Sequence, residues 1–166
     1  MTNSEIEKFA SQTLKDHQIY GIPVDPVVLA NKLGIKVSNA LFSDSSLSGM
    51  IAKRGNSVSI LVNDSDSPNR KRFTIAHELG HQLLHLHTDG EFIDSELDLY
   101  RIEEVEGSKG KHIEEIEANK FAAALLMDAN YIKQYWEKTK SVIELAEIFK
   151  VSEAAMGIRL NVLGLA

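Results

Sequence analysis

The sequence predicts an α+β fold: a small, mostly antiparallel sheet packed on a pair of helices, followed by a helical C-terminal part. Three observations predict it. Apolar residues recur at helical spacing over residues 4–16, 68–87 and 113–127. Short runs rich in β-branched and alternating apolar residues cluster between 35 and 62. Beyond Asp128 the pattern turns helical again, in three short segments.

Bulk properties narrow the class. At 166 residues the chain reads as one domain with a sizeable core, divided into N-terminal helices (1–34), a central core (35–128) and a C-terminal helical part (129–166). Apolar residues at 43% and charged residues at 25% are ordinary for a globular protein. There is no cysteine, which excludes a disulfide framework and a thiolate metal site and fits a reducing cytoplasm, the expected location. No apolar run approaches the roughly 20 residues that span a bilayer. Glu5, Glu7 and Lys8 stand where the apolar stretch of a signal peptide would lie. A net charge of −6 argues against broad coating of nucleic acid.

In chain order, Ile6, Phe9, Ala10 and Leu14 give the first helix an apolar side, with Ser4 as its expected N-cap. Gly21-Ile22-Pro23 breaks it. Asp25-Pro26 starts a second helix through Val27, Leu29, Ala30 and Leu33, which Gly34 stops. Ile35-Lys36-Val37 and Ala40-Leu41-Phe42 read as a short strand with a kink or loop after it. Residues 48–53 and 58–62 flank Arg54-Gly55-Asn56, a hairpin turn, giving a sheet of about three strands. Ser67-Pro68 opens a helix expected over 68–87, and Thr88-Asp89-Gly90 closes it.

Residues 89–117 carry eleven Asp or Glu against Arg101, Lys109 and Lys111, with Gly107-Ser108-Lys109-Gly110 as a flexible loop. A solvated loop is the plain reading of this stretch; a cleft rim or a lid is the functional one. The C-terminal helices are expected at about 129–138, 141–149 and 152–161. The last two are similar to a helix-turn-helix, with Ala146, Val151 and Met156 at its packing positions and Lys150 in place of the turn glycine. Its second helix would offer Glu153, Arg159 and Asn161. That is a poor base-reading set, so packing or partner docking is expected rather than DNA binding.

The chemistry centres on His77-Glu78-Leu79-Gly80-His81. On a helix His77 and His81 are one turn apart and project from one face, where two neutral imidazoles can bind one Zn²⁺. Glu78 lies about 100° further round, within reach of a water at the metal, and is the candidate catalytic base. Zinc lowers the pKa of such a water toward about 7, and the carboxylate can take its proton as it attacks a carbonyl. At about 1.5 Å of rise per residue, His85 is about 12 Å along the axis from His77 and does not share its metal. His85 and His87 read as ordinary helix-end histidines.

A catalytic zinc needs a third protein ligand and an open position. On a helical wheel of residues 112–127, Ala118, Ala122 and Leu126 centre an apolar stripe that also contains Glu115 and Asn119. A carboxylate on an inward face is costly unless it is paired or holds a metal, which favours Glu115 as ligand, with Glu117 as the alternative. Asn119, one turn on, is placed to support a ligand by hydrogen bonding. Tyr100, Arg101 and His112 are all candidates for stabilising an oxyanion.

Arg70-x-Arg72-Phe-Thr-Ile-Ala-His77-Glu78-Leu-Gly-His81, followed by Glu115-x-Glu-Ala-Asn119-x-Phe-Ala-Ala-x-Leu-Leu-Met127, resembles the ImmA/IrrE family of metallopeptidases. Gly49-Met50-Ile51 and Ser59-Ile60-Leu61-Val62-Asn63 also look like that family, and the resemblance runs from about Ile22 to Leu165. It implies a zincin-like core in which His77, His81 and Glu115 ligate Zn²⁺ and Glu78 is the base. It implies too a partner substrate, a DNA-binding helix-turn-helix repressor whose cleavage would derepress transcription, often in a phage, mobile element or stress operon. A second reading, from another class, is a binding module that displaces a repressor or antitoxin, with zinc structural only. The chain departs from the family at Asp128, where proline is usual, and in the acidic insertion between the two motifs.

Overall fold

A computed structural model describes residues 1–85, 90–94 and 109–166, with backbone alone at 90–94 and 109–111. In chain order the elements are α1 (Asn3–Asp16), α2 (Pro26–Lys32), β1 (Lys36–Ala40), β2 (Gly49–Arg54), β3 (Ser57–Asn63), α3 (Pro68–Leu84), β4 (Gly90–Asp94), α4 (Lys109–Leu126), α5 (Ala129–Thr139), α6 (Val142–Phe149) and α7 (Glu153–Val162).

Local chemistry sets most of these boundaries. Asp25 caps α2 by accepting from the Val27 N–H, and Ser67 caps α3 by accepting from Arg70; each is followed by proline at the first helical position, where its missing N–H costs nothing. The cap of α1 is Thr2 rather than Ser4. Thr2 and Glu5 form a reciprocal capping box; Ser4 has the same spacing to Glu7 but already lies inside the first turn. Asp128, in place of the family's proline, caps α5 by accepting from the N–H groups of Asn130 and Tyr131. The α3 helix stops at Leu84 with His85 as C-cap, short of the expected 87; His87 and the expected stop at Thr88-Asp89 lie outside the described residues.

The sheet is mixed and runs β1-β3-β2-β4. The β2–β3 hairpin is antiparallel as expected, but β1 pairs parallel with β3, from Lys36↔Ser59 to Ala40↔Asn63. A turn sequence fixes the sense only of the two strands it joins; β1 reaches β3 from a separate connection, so the sheet is mixed, with two of its three strand pairs antiparallel. The departure is a fourth strand, β4, which pairs antiparallel with β2 inside the stretch read as solvated loop.

α3 lies between the sheet and α4, and α1 covers the far side of α4. Ile51, Ile60 and Val62 of the sheet join Ile75, Ala76 and Leu79 of α3 and Phe121, Ala122 and Leu125 of α4 in one core. The Phe9 and Phe121 rings meet at 5.9 Å across the α1–α4 contact. Each such large apolar side chain contributes about 1.5–3 kcal/mol of transfer free energy, so the helix pair is held chiefly by burial.

The C-terminal helices close onto the start of α3. Ala146, Val151 and Met156 are buried, as the helix-turn-helix pattern requires. Arg72 donates to the carbonyls of Val24, Phe149 and Lys150, and the Asn69 amide donates to Val151 O. Burial lowers the Arg72 pKa, partly countered by Asp25; its charge sits at the C-terminal end of α6, where the helix dipole favours it. Arg159 is 4% exposed and turned inward, so it is withdrawn from the outer surface of α7 where base reading would need it.

Lys150, at the usual glycine position, is left-handed at φ 56°. A side chain there costs about 1–2 kcal/mol, partly offset by the lower unfolded-state entropy of a non-glycine residue, about 0.4–1 kcal/mol. Lys150→Gly is therefore expected to raise stability by about 0.5–1 kcal/mol in urea melts; a loss of stability would show that the turn is not strained.

Candidate metal centre and active site

α3 supplies two of the three converging groups. His77 and His81, one turn apart, are both buried, and their Nε2 atoms lie 3.0 Å from each other. α4 supplies the third: Glu115 Oε2 is 3.1 Å from His77 Nε2, and Glu115 Oε1 is 3.1 Å from His81 Nε2. Among the described residues these three make a group whose ligand atoms all lie within 4.8 Å of one another. Ligands at the usual 2.0–2.1 Å from a tetrahedral zinc would be about 3.3 Å apart, close to what is found here. Two imidazoles and a carboxylate, with no thiolate available, suit a borderline divalent ion such as zinc without being exclusive to it.

The neighbours prepare these groups for a metal. Asn119 Oδ1 accepts from His77 Nδ1–H at 2.8 Å, which orients the ring with Nε2 facing the site, where a bound metal would take the place of a proton on that nitrogen. For the Glu115 carboxyl, burial acts to raise the pKa. Hydrogen bonds from His77 and His81 and attraction to both rings outweigh it, holding the group well below the usual carboxylate range. Glu78 is 1% exposed and sits on α3 directly after His77.

Two glycines let the elements come this close. A Cβ on Gly80 would stand 3.1 Å from both Cα and O of Ala118 and 3.2 Å from Phe121 Cδ1; its absence allows α3 and α4 to approach until Glu115 reaches the histidines. A Cβ on Gly49 of β2 would stand 2.4 Å from Thr74 Cγ2 and 3.8 Å from Glu78 Oε1, so the missing side chain lets β2 pack against α3 beside Glu78. Arg70 Nε donates to Ser48 Oγ and fastens the same corner. Gly80→Ala is expected to cost about 1–3 kcal/mol by overpacking and to weaken zinc binding by moving Glu115 outward. A zinc titration and a melt check both; unchanged affinity would show that the close approach is incidental to the site.

His77, His81 and Glu115 come together, with Asn119 behind His77. Glu117, the alternative ligand, instead lies 3.9 Å from His85. His85 Nε2 lies 3.2 Å from the Glu114 carbonyl, and His85 is outside the group. His112 lies on α4 three residues before Glu115, whereas Tyr100 and Arg101 fall outside the described residues. Sequence reasoning missed the structural part of Gly49 and Gly80, which no local pattern marks.

Residues 30–161 match the family model Peptidase M78, the IrrE N-terminal-like domain. The chain belongs to this family. Over 100 residues it is 32% identical to the radiation response metalloprotease IrrE of Deinococcus radiodurans, a stretch covering 58% of this chain and 28% of that protein. The chain thus spans less than a third of the relative it matches. Within Peptidase M78, the matched residues here include both α3 and α4, and so the whole His77–His81–Glu115 group.

Proposed function

We propose that the protein is a metal-dependent endopeptidase with zinc as its ion, acting on a regulatory protein, a helix-turn-helix repressor, to relieve repression. The observation that carries this is the convergence of His77, His81 and Glu115 beside the buried Glu78. A closed structural zinc site takes four protein ligands. Here three groups converge among the described residues, and the Glu115 side chain is 41% exposed, leaving an open side. That openness favours a catalytic role over a purely structural one.

A divalent ion held there would polarise the scissile carbonyl and lower the pKa of a water toward about 7. The chain's own groups do the rest. Asn119 holds His77 in its ligating tautomer, and Gly49 brings the backbone of β2 beside Glu78. Glu78 takes a proton from the water that attacks the peptide carbon, and returns it to the departing amine nitrogen as the C–N bond breaks. No helix among the described residues is long and apolar enough to cross a membrane, which agrees with action on a soluble partner; cytoplasmic location is part of this proposal.

The test is incubation of zinc-loaded protein with the repressors of its own genome, followed by intact-mass measurement. One discrete pair of fragments, whose masses sum to the repressor plus one water, is the expected result. Repressor released from DNA with its mass unchanged would instead establish the displacement reading.

A further inference from the structure

The sheet has two outer strands, β1 and β4, and they are not equivalent with respect to the site. The strand beside Glu78 is β2, at Gly49. One edge of β2 is taken by β3, paired over six residues, and β3 is itself paired on both sides. The other edge is occupied by β4 in an antiparallel register from Gly49↔Asp94 to Lys53↔Gly90. Asp94 therefore lies opposite Gly49, the β2 residue beside Glu78.

An endopeptidase must hold a polypeptide in extended form across its base, and backbone pairing to a strand edge is the sequence-tolerant way to do so. The β2 edge beside Glu78 is where that pairing would put a scissile bond within reach. We propose that β4 is an internal occupant of this docking edge: it fills in cis the place of an extended substrate strand and must leave before one can bind. This rests on the peptidase reading of the site. β4 is suited to leaving. Among the described residues it pairs on one side, over five residues, and such one-sided edge strands open at lower free energy than strands paired on both sides. The partner it predicts is an unstructured or locally unfolded segment that adds antiparallel to β2, recognised mainly through its main chain.

The chain has no cysteine, so β4 can be locked with one engineered disulfide. Ala52 and Glu91 are register partners, and cross-strand Cα separations fall within the range a disulfide spans. Ala52 alternates with the buried Ile51, so the bridge lies away from the core side. The probe is a fluorescein-labelled synthetic peptide with the sequence of residues 88–96, followed by fluorescence anisotropy. All proteins carry Glu78→Gln, so binding is read without hydrolysis. Phe92→Pro, which removes a backbone N–H and disfavours β4 pairing, should bind the peptide. The oxidised Ala52→Cys/Glu91→Cys protein should bind at least tenfold more weakly than its own reduced form, which controls for folding. Equal binding by oxidised and reduced forms would overturn the proposal, as would a folded Phe92→Pro protein that does not bind. Neither outcome bears on whether Glu78 is a base, so failure here is distinguishable from failure of the peptidase reading.

Discussion

Stripped of metal by a chelator, the protein is expected to lose all hydrolysis yet remain folded. The His77–His81–Glu115 group joins α3 to α4, so metal bonds stabilise the pair by linkage. With free zinc at about 100 times its dissociation constant the gain is about 2.7 kcal/mol, or about 5–10 °C in Tm for a chain of this size. The same helices are already held by Leu79, Phe121, Ala122 and Leu125, all at 0% exposure. A cooperative melt should therefore survive metal removal, shifted downward. Glu115→Ala should mimic the shift. If the chelated protein shows no cooperative melt, zinc is a folding element and the open-site reading is lost.

The largest expected effect on stability is at Arg159. Its guanidinium donates to both carboxylate oxygens of Glu7, and its Nε donates to Met127 O at 2.9 Å. One side chain thus joins α7, α1 and the end of α4. Removing it leaves a carboxylate and a carbonyl without their donors, while methionine keeps much of the volume. Arg159→Met is expected to cost about 3 kcal/mol, at the low end for a broken buried pair because Glu7 is partly exposed. Urea denaturation measures it, and a loss under 1 kcal/mol would show that packing alone holds α7.

The candidate site was legible because its pattern is local. His77, Glu78 and His81 are fixed by helical spacing alone, and Glu115 stands out as an acid on the apolar stripe of α4. The same wheel places Asn119 one turn on, where it meets His77 at 2.8 Å. Helix starts at Asp25-Pro26 and Ser67-Pro68 were readable for the same reason: the cap and the proline act within one turn. What stayed hidden depends on partners distant in sequence. The parallel β1–β3 register joins residues about 23 apart with no turn to announce it. β4 hides in an acidic stretch whose composition reads as solvated. Arg159 looks like a surface residue of a reading helix, because its partner Glu7 is 152 positions away. Gly49 and Gly80 matter through what their missing side chains would strike, which only the packed structure reveals.

The most direct test compares wild type with Glu78→Gln, each loaded with zinc, against the same repressor. Metal content, melting temperature and fragment yield are read on the same samples. Glu78→Gln removes the base and leaves all three converging ligands, so zinc should stay at one equivalent while the cleavage rate falls by about 100- to 10,000-fold. Undiminished cleavage by Glu78→Gln at equal zinc content would contradict the assignment of Glu78 and, with it, the mechanism built on this site.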